Sequence, residues 1–326
     1  MNSNASMDST SDKTARPKRR KTRDLKLREI LSMVDIYMLG MITVYSILAI
    51  FVRRSPTLLF LNSIFAAGVI TIAVAGAVAR NPLFKFIRSF SIVPITYLMY
   101  DQAQNYIRSV NPHDIDYLLI AIDKWIFGVN PTQWLSNFTH PWLTEYLQFT
   151  YMCFFFMPIA QAIELHIEGN RARFKRFART IAFGFFLSYL LYFFTPAIGP
   201  RFTLHDFALL NTELPGVWLT EKFREVVNAG AGLTTAVHNA AEIVNRDCMP
   251  SGHTMMTLLN MMLAYRYQSR LRWVFYIIGS SLILSTVYLR YHYVIDVISG
   301  IGWALVVWFI EPKIRMWVKS KGFIHA

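Results

Sequence analysis

Long apolar stretches separated by polar ones dominate the pattern of this chain. A membrane-spanning helix needs about 20 predominantly apolar residues, with about 17 to 25 the usual range. Most of the stretches meet that length, although the third and the sixth are short. The predicted helices cover residues 34–52, 57–79, 89–105, 143–165, 180–198, 251–267, 272–289 and 293–310. The pattern therefore predicts an all-α, polytopic membrane bundle with about eight transmembrane helices.

Two segments between these stretches carry patterns of their own. From Asp114 to Phe127, apolar and acidic residues alternate at helical spacing, which predicts an amphipathic helix lying at the outer membrane interface. Residues 199–250 form a polar loop that is too long for a simple connection, and loops of that length usually carry function. His205 and His238 lie in this loop and are interpreted as ordinary exposed histidines.

Composition and charge support a membrane protein rather than a soluble one. The chain has 326 residues, of which 54% are hydrophobic and only 16% are charged, whereas soluble domains carry about 25% charged residues. The net charge is +13, and residues 1–28 supply about half of that excess. A basic run beside a membrane helix favours an orientation signal or contact with anionic lipid. We expect no nucleic-acid partner, because no recognition fold accompanies the run.

The stretch Cys-Met-Pro-Ser-Gly-His at residues 248–253 joins the long loop to an apolar segment. Pro250 and Ser251 are residues that favour a helix start, and Gly252 lets a ligand approach the backbone closely. Free N–H groups at a helix start attract anions such as phosphate. His253 would then stand beside that anion, with a near-neutral pKa suited to proton transfer. The same residues fit a capped helix that carries a histidine by chance.

A second polar cluster follows at residues 288–296. His292 and Asp296 are spaced i,i+4, so on a helix the carboxylate could orient the imidazole. Arg290 adds a cation suited to phosphate, and Arg201 adds another after Gly199 and Pro200. Each cluster alone also fits an interfacial His or Arg at a membrane helix end. Together they predict a phosphate site assembled from helix ends.

These motifs resemble those of the phosphatidic acid phosphatase type 2 superfamily, also called the vanadium-haloperoxidase-like fold. The second motif of that family, Pro-Ser-Gly-His, is complete at residues 250–253, and its third motif is matched by Ser285, His292 and Asp296. The third-motif arginine is replaced by Thr286, so Arg290 would have to supply that cation.

The first motif and residues 114–152 add detail to the resemblance. The first motif keeps Arg201 but lacks its lysine, because Phe194 lies seven residues earlier. Residues 114–152, including the run Asp-Lys-Trp-Ile-Phe-Gly from Asp123 and also Tyr151, resemble the inositolphosphotransferase branch, the relatives of inositol phosphorylceramide synthase. The resemblance covers roughly residues 90–310.

The resemblance implies a role for each motif residue. His292, oriented by Asp296, would attack phosphorus and form a phosphohistidine, while His253 would protonate the leaving alkoxide and then activate the acceptor. The implied phosphate-binding groups are Arg201, Arg290 and the backbone of Ser251 and Gly252. No metal and no other cofactor is implied, because the arginines and the helix dipole would take the place of Mg²⁺.

Basic residues in the loops predict how the chain lies in the membrane. Eight spans with both termini cytoplasmic satisfy the positive-inside rule, and they bring all the motif residues to the outer or lumenal face. The predicted organisation is a disordered basic tail at 1–30, two N-terminal transmembrane helices at 31–88, a phosphatase-type catalytic domain at 89–312 and a short basic tail at 313–326.

The nature of the acceptor stays open at this point. With water the protein would be a lipid phosphatase, which is our first prediction, and with an alcohol it would be a lipid phosphotransferase. In both cases the partner is a lipid phosphate in the bilayer. A transporter or a membrane scaffold explains the three phosphate-suited clusters less well, and an inactive family member remains an alternative because of Thr286 and Phe194. The oligomeric state is not predicted.

Overall fold

The computed structural model describes residues 30–78, 81–233 and 239–324, and within these ranges the chain is helical with no β-strand. The α-helices are α1 (Met33–Phe51), α2 (Pro56–Val78), α3 (Pro82–Phe90), α4 (Ile92–Val110), α5 (Asp116–Phe127), α6 (Pro131–Leu135), α7 (Pro141–Met152), α8 (Phe156–Ile167), α9 (Arg171–Leu191), α10 (Pro200–Thr203), α11 (Leu210–Glu213), α12 (Thr220–Gly230), α13 (Ala240–Ile243), α14 (Gly252–Tyr267), α15 (Arg272–Tyr288) and α16 (Val294–Ser320). The predicted all-α class is confirmed.

Apolar helices mark this chain as a membrane protein. Among the described residues, α1, α2 and α16 are long and apolar enough to cross a bilayer, and α7 with α8 would form a fourth span, bent by 49°. Large apolar side chains such as Phe51, Phe60 and Phe309 are exposed on these helices, as expected for contact with lipid. The prediction of eight spans is thus matched only in part, by three to four candidates.

The other predicted spans are shorter or more polar as helices than the apolar pattern indicated. The predicted span at 89–105 is divided between α3 and α4, with a break at Ser91. The predicted span at 180–198 starts earlier in the structure, in the basic segment from Arg171, and its helix ends at Leu191. The helices α14 and α15 have 16 and 17 residues. Of these elements, α14 is largely buried by its neighbours, whereas α3 has no buried residue.

Two buried clusters hold the bundle together, and α9 contributes to both. One unites α1, α4 and α9 around residues such as Met38, Tyr45 and Phe186. The other joins α9 to α14 and α16 through residues such as Met255 and Ala304. This second cluster fixes the relative positions of the two helices whose first turns carry the sequence motifs.

The predicted amphipathic helix is present as α5, and the structure shows which of its faces is buried. Asp116, Leu119 and Asp123 are buried, whereas Tyr117 and Trp125 are among the most exposed aromatic residues of the described chain. The acidic face therefore points into the protein, and the aromatic face points outward. An apolar surface of this kind suits the membrane interface.

The long loop after α9 folds into short helices, α10 to α13, and packs on the bundle. Leu210 and Leu214 from this loop form a cluster with Leu147, Tyr288 and Tyr291. The loop therefore covers the end of the bundle where α15 and α16 meet. The basic tail, with its predicted anionic-lipid contact, and His238 lie outside the described residues.

Candidate active site

The first turn of α14 carries His253. The side chain of Ser251 caps this helix by accepting a hydrogen bond from the Thr254 N–H at 3.2 Å, as the sequence predicted for a helix start. The Ser251 N–H donates to the backbone carbonyl of Asp296 at 3.2 Å. The beginning of α14 is thereby joined to the beginning of α16.

His292, Asp296 and His253 form one chain of contacts, in which His292 and Asp296 are buried and His253 is half-buried. His292 Nδ1 lies 3.4 Å from Asp296 Oδ2, and His292 Nε2 lies 3.5 Å from His253 Nδ1. Asp296 is in the first turn of α16, where it also accepts from the Tyr293 N–H at 2.9 Å. The i,i+4 pair thus spans the start of the helix rather than lying along one helical face. In this arrangement a carboxylate orients one imidazole while a second imidazole faces its other nitrogen.

Cys248 completes the surroundings of Asp296. Its Sγ lies 2.8 Å from Asp296 Oδ2 and 3.5 Å from His292 Nδ1, and the thiol donates to the carboxylate. Burial, followed by the negative charge of Asp296, raises the pKa of the Cys248 thiol well above its ordinary value. The donor atoms of these three residues lie within 4.8 Å of one another, so they are a set that could hold a metal ion.

Aromatic rings fix the position of His253. The ring of Tyr151 from α7 stacks on His253, with ring centroids 4.5 Å apart. The same ring also stacks on Tyr291, with ring centroids 4.4 Å apart. Phe154 lies 4.3 Å from the same imidazole. These contacts limit rotation of the ring, and the low-dielectric surroundings strengthen its interaction with His292.

Two buried carboxylates on α5 hold the other motif segments in place. Asp123 accepts from the backbone N–H groups of Val294 and Ile295, both at 2.8 Å, and so caps α16 from another helix. Asp116 accepts from the N–H groups of Ile198 and Gly199 at 3.0 and 2.9 Å. Burial raises the pKa of Asp123, and the two N–H donors oppose that shift.

Asp116 also serves the histidine side of the site. Besides the backbone before Arg201, it accepts a hydrogen bond of 2.8 Å from the hydroxyl of Tyr293, the residue after His292. Because Asp116 and Asp123 are two helical turns apart, they lie on one face of α5. This face is a brace between the first and third sequence motifs. From the sequence, Asp123 was identified only as part of a run that resembles a family branch, and neither residue was assigned a role, although their i,i+7 spacing was a usable signal.

Arg201 lies near the start of the long loop 199–250, called the outer loop from here on, and contacts both a motif segment and the rest of that loop. Its backbone N–H donates to the carbonyl of Arg290 at 3.0 Å, and its guanidinium donates to Asn228 at 2.8 Å. The guanidinium also lies over the ring of Tyr291, 5.0 Å from the centroid. The backbone at Gly199 also lies close to the backbone of Tyr291, and only glycine permits this. Its φ is +94°, and an added Cβ would lie 2.7 Å from the Tyr291 carbonyl oxygen.

Arg290 is the most deeply buried arginine of the described residues, with 1% of its surface exposed. It forms an ion pair with Glu213 from the outer loop and donates to Ser136 at 3.0 Å, and its Nε has no partner among the described residues. Thr286, at the position of the family arginine, is fully buried and accepts the N–H groups of Tyr291 and His292 through its carbonyl. Arg290 thus reaches this region from a different backbone position.

Three other positions of the predicted phosphate-binding site differ from the simple expectation. Phe194, where the family has its lysine, is 73% exposed, so that position faces the surface rather than the buried histidines. The Ser251 N–H is already used by Asp296, which leaves the N–H groups of Gly252 and His253 as the orphan donors of α14. An added Cβ on Gly252 would lie 2.6 Å from the hydroxyl oxygen of Tyr192, so helix packing also requires glycine there.

His205 is not the exposed loop histidine that the sequence suggested. It is half-buried, and its Nε2 lies 3.1 Å from the hydroxyl of Thr132. Burial, followed by the positive charge of Arg290, lowers the pKa of His205 to about 4. The ring is therefore neutral at physiological pH and helps to pack the outer loop beside Arg290.

The comparisons agree with this geometry. A profile of the PAP2 superfamily matches residues 118–310, a range that includes the histidine pair, both arginines and most of α5. The chain belongs to the PAP2 superfamily. It is also similar to a protein of Bacteroides thetaiotaomicron named phosphoinositol dihydroceramide synthase, with 27% identity over 302 residues, which are 86% of this chain and 94% of that protein. No solved structure matches the chain.

Membership of this family makes the chain an enzyme that acts on the phosphate of a phospholipid, of the lipid phosphatase or phosphotransferase kind. The predicted resemblance is confirmed, including its relation to the synthase branch. The roles of the individual residues, and the identity of the acceptor, are taken up below.

Proposed function

We propose that this protein is a lipid phosphotransferase that moves a phospho-headgroup, such as inositol phosphate, from a phospholipid to a lipid hydroxyl. The observation that carries the proposal is the line of contacts from Asp296 through His292 to His253, in a chain related along most of its length to a phosphoinositol dihydroceramide synthase. This ordering reverses the sequence-based preference for water as the acceptor.

In the first step, His292 Nε2 forms a bond to phosphorus while the bond from phosphorus to the diacylglycerol oxygen breaks. Asp296 stabilises the positive charge that develops on the imidazole of His292. His253 gives its proton to the departing alkoxide, so that diacylglycerol leaves as a neutral alcohol. The product is His292 carrying the phospho-headgroup.

In the second step, His253 takes the proton of the acceptor hydroxyl, and the acceptor oxygen attacks phosphorus. The bond from His292 to phosphorus breaks, which restores the free imidazole and leaves His253 protonated for the next cycle. Arg201, Arg290 and the N–H groups at the start of α14 would stabilise the phosphoryl oxygens in both transition states. No step of this scheme requires a metal ion.

We also propose that the site faces the extracytoplasmic or lumenal side, with both termini in the cytoplasm. Loop charges and the common end at which α5, the outer loop and the motif residues meet support this orientation. A lipid donor with its phosphate at the interface would reach such a site without leaving the bilayer.

The decisive experiment uses detergent-purified protein in EDTA, phosphatidylinositol labelled in its headgroup, and ceramide or diacylglycerol as the acceptor. We expect label to move from phosphatidylinositol to the acceptor in the wild-type reaction. His292→Ala should lower the rate by about 10³-fold or more, because it removes the nucleophile. His113→Ala is the matched control, since that histidine is exposed and lies outside the proposed chemistry.

Three other results would change the assignment. Phosphate release from phosphatidic acid without any transfer would make the protein a lipid phosphatase. Full transfer by His292→Ala would contradict the phosphohistidine intermediate. Complete loss of transfer in EDTA, restored by a divalent cation, would contradict the metal-independent scheme.

A further inference from the structure

A cavity of about 540 Å³ opens within the outer loop. This volume lies in the range of about 300 to 1,000 Å³ that is usual for small-ligand sites. One wall is a single face of α12, whose polar residues lie one and two helical turns apart. Further lining residues come from the segment between Phe202 and Asn211 and from Ala240 and Ala241. The residues of α12 that line the cavity are Glu221, Arg224, Glu225 and Asn228.

Arg201 connects this cavity to the candidate active site. Its guanidinium donates to the side-chain oxygen of Asn228 at 2.8 Å, and it lies over the rings of Phe202 and Phe207, which also line the cavity. The same guanidinium lies over Tyr291, the residue before His292. A phosphate bound to Arg201 would therefore lie next to the cavity. The headgroup attached to that phosphate could then enter the cavity.

The side chains on the cavity walls favour hydrogen-bond donors as ligands. Asp206, Glu221 and Glu225 offer carboxylate oxygens, and the amide nitrogen of Asn228 has no hydrogen-bond partner among the described residues, while its oxygen accepts from Arg201. Carboxylates accept hydrogen bonds from hydroxyl groups more strongly than neutral acceptors do. Several hydroxyls on one ring could be satisfied here at the same time.

Two other headgroup types fit these walls poorly. An additional phosphate would meet the three carboxylates, while the guanidinium of Arg224 is already bound to Asn211 and to the carbonyl of Leu214. A quaternary ammonium group needs free aromatic faces. The rings of Phe202 and Phe207 instead pack against each other, tilted by 30°, and the guanidinium of Arg201 lies over both.

We infer that this cavity binds the neutral polyol headgroup of the donor lipid, an inositol-class ring, while Arg201 holds the adjoining phosphate. This inference rests on the proposed function, because it places the donor phosphate beside His292. It adds a determinant of substrate choice that is separate from the residues that perform the chemistry.

The first test measures binding without turnover. Free myo-inositol is added to purified wild-type protein and to a Glu221→Gln, Glu225→Gln double variant, and saturation-transfer NMR follows the contact. Glutamine keeps the side-chain size, and both glutamates are exposed, so the fold should survive. We expect a signal with the wild type that weakens about tenfold in the double variant. Lys222→Gln, on another face of α12, should behave as the wild type.

The second test measures headgroup preference during transfer. The double variant should raise the KM for phosphatidylinositol about tenfold and leave the rate with phosphatidylethanolamine within about twofold. A free-polyol acceptor is distinguished by incubating labelled myo-inositol with an unlabelled phospholipid. Incorporation of that label would assign the cavity to the acceptor and overturn its role for the donor.

The outcomes separate this inference from the proposed function. Transfer that is intact, with no inositol binding and no change of preference in the double variant, would overturn the cavity assignment alone. Inositol binding that depends on Glu221 and Glu225, in a protein without transferase activity, would support the cavity and refute the proposed reaction. An equal loss with every donor would indicate a structural role for α12 and would also overturn the assignment.

Discussion

The histidine half and the arginine half of the site are built in different ways. His253 and Asp296 lie in the first turns of two packed helices, and His292 directly precedes the second of these, so backbone capping contacts fix them. Arg201 and Arg290 instead reach into the outer loop, where Asn228 and Glu213 bind them. We infer that the reacting side chains are positioned by helix ends, whereas the side chains proposed to bind phosphate are positioned by the loop.

One helix joins the two halves. Asp123 of α5 caps the helix that carries Asp296, and Asp116 binds the backbone before Arg201 together with the hydroxyl of Tyr293. We therefore expect substitutions in the histidine half to lower activity more than substitutions in the arginine half.

Asp296→Asn should lower kcat by about 10³-fold or more while the fold is retained. The asparagine oxygen can still accept from the Tyr293 N–H, which keeps the helix cap, but a neutral amide cannot stabilise a charged imidazole. Single-turnover transfer and thermal unfolding of the same preparation would check both parts. A rate within tenfold of the wild type would mean that the carboxylate does not support His292.

Asp123→Ala should lower both the transfer rate, by about tenfold, and the stability, by about 1 kcal/mol, because α16 loses its cap. The N–H groups of Val294 and Ile295 would lose the partner they have in the structure. Asp123→Asn should recover part of the loss, since one acceptor oxygen remains. Lys124→Ala is the control on an exposed position of the same helix, and an equal loss there would contradict the bracing role.

Cys248→Ala should reduce kcat by about three- to tenfold and leave KM unchanged, because Asp296 loses a donor but the lipid-binding surface is untouched. Cys248→Ser should restore most of the rate, since a hydroxyl can also donate. The matched control is Cys153→Ala, which removes the other cysteine of the chain, a half-buried one. A rise in KM, or no rescue by serine, would indicate packing rather than positioning.

Glu213→Gln should raise KM about two- to threefold with little change in kcat, because it loosens only the loop contact of Arg290. The ion pair is partly exposed on the Glu213 side, which limits the effect. A steady-state comparison with Glu242→Gln, an exposed acid of the same loop, would isolate the contribution of the pair. A loss of kcat as large as that of Asp296→Asn would remove the distinction between the halves.

Much of the histidine half could be predicted from sequence because it depends on local spacing. The order Pro-Ser-Gly-His specifies a capped helix start, and the four-residue interval from His292 to Asp296 allows the two side chains to meet. Even here the geometry differs from the simple expectation, since His292 precedes the helix that carries Asp296.

The faces of α5 could not be assigned in the same way. Hydrophobic spacing identifies an amphipathic helix, but in a membrane protein either face can point outward, because lipid accepts apolar side chains. Asp116 and Asp123 are buried because backbone N–H groups from distant segments reach them. Those donors lie more than 70 residues away along the chain and leave no trace in the local pattern.

The sequence alone determined the helical class and the membrane character, since these follow from composition and hydrophobic periodicity, and the resemblance of its motifs to a known family named the candidate acid, base and nucleophile. Tertiary structure decided that Cys248 contacts Asp296, that Arg290 reaches the loop from a shifted backbone position, and that a cavity lies beside Arg201. These features arise where segments far apart in the chain pack together. Local periodicity sets which residues share a helix face, whereas packing between helices sets what that face meets.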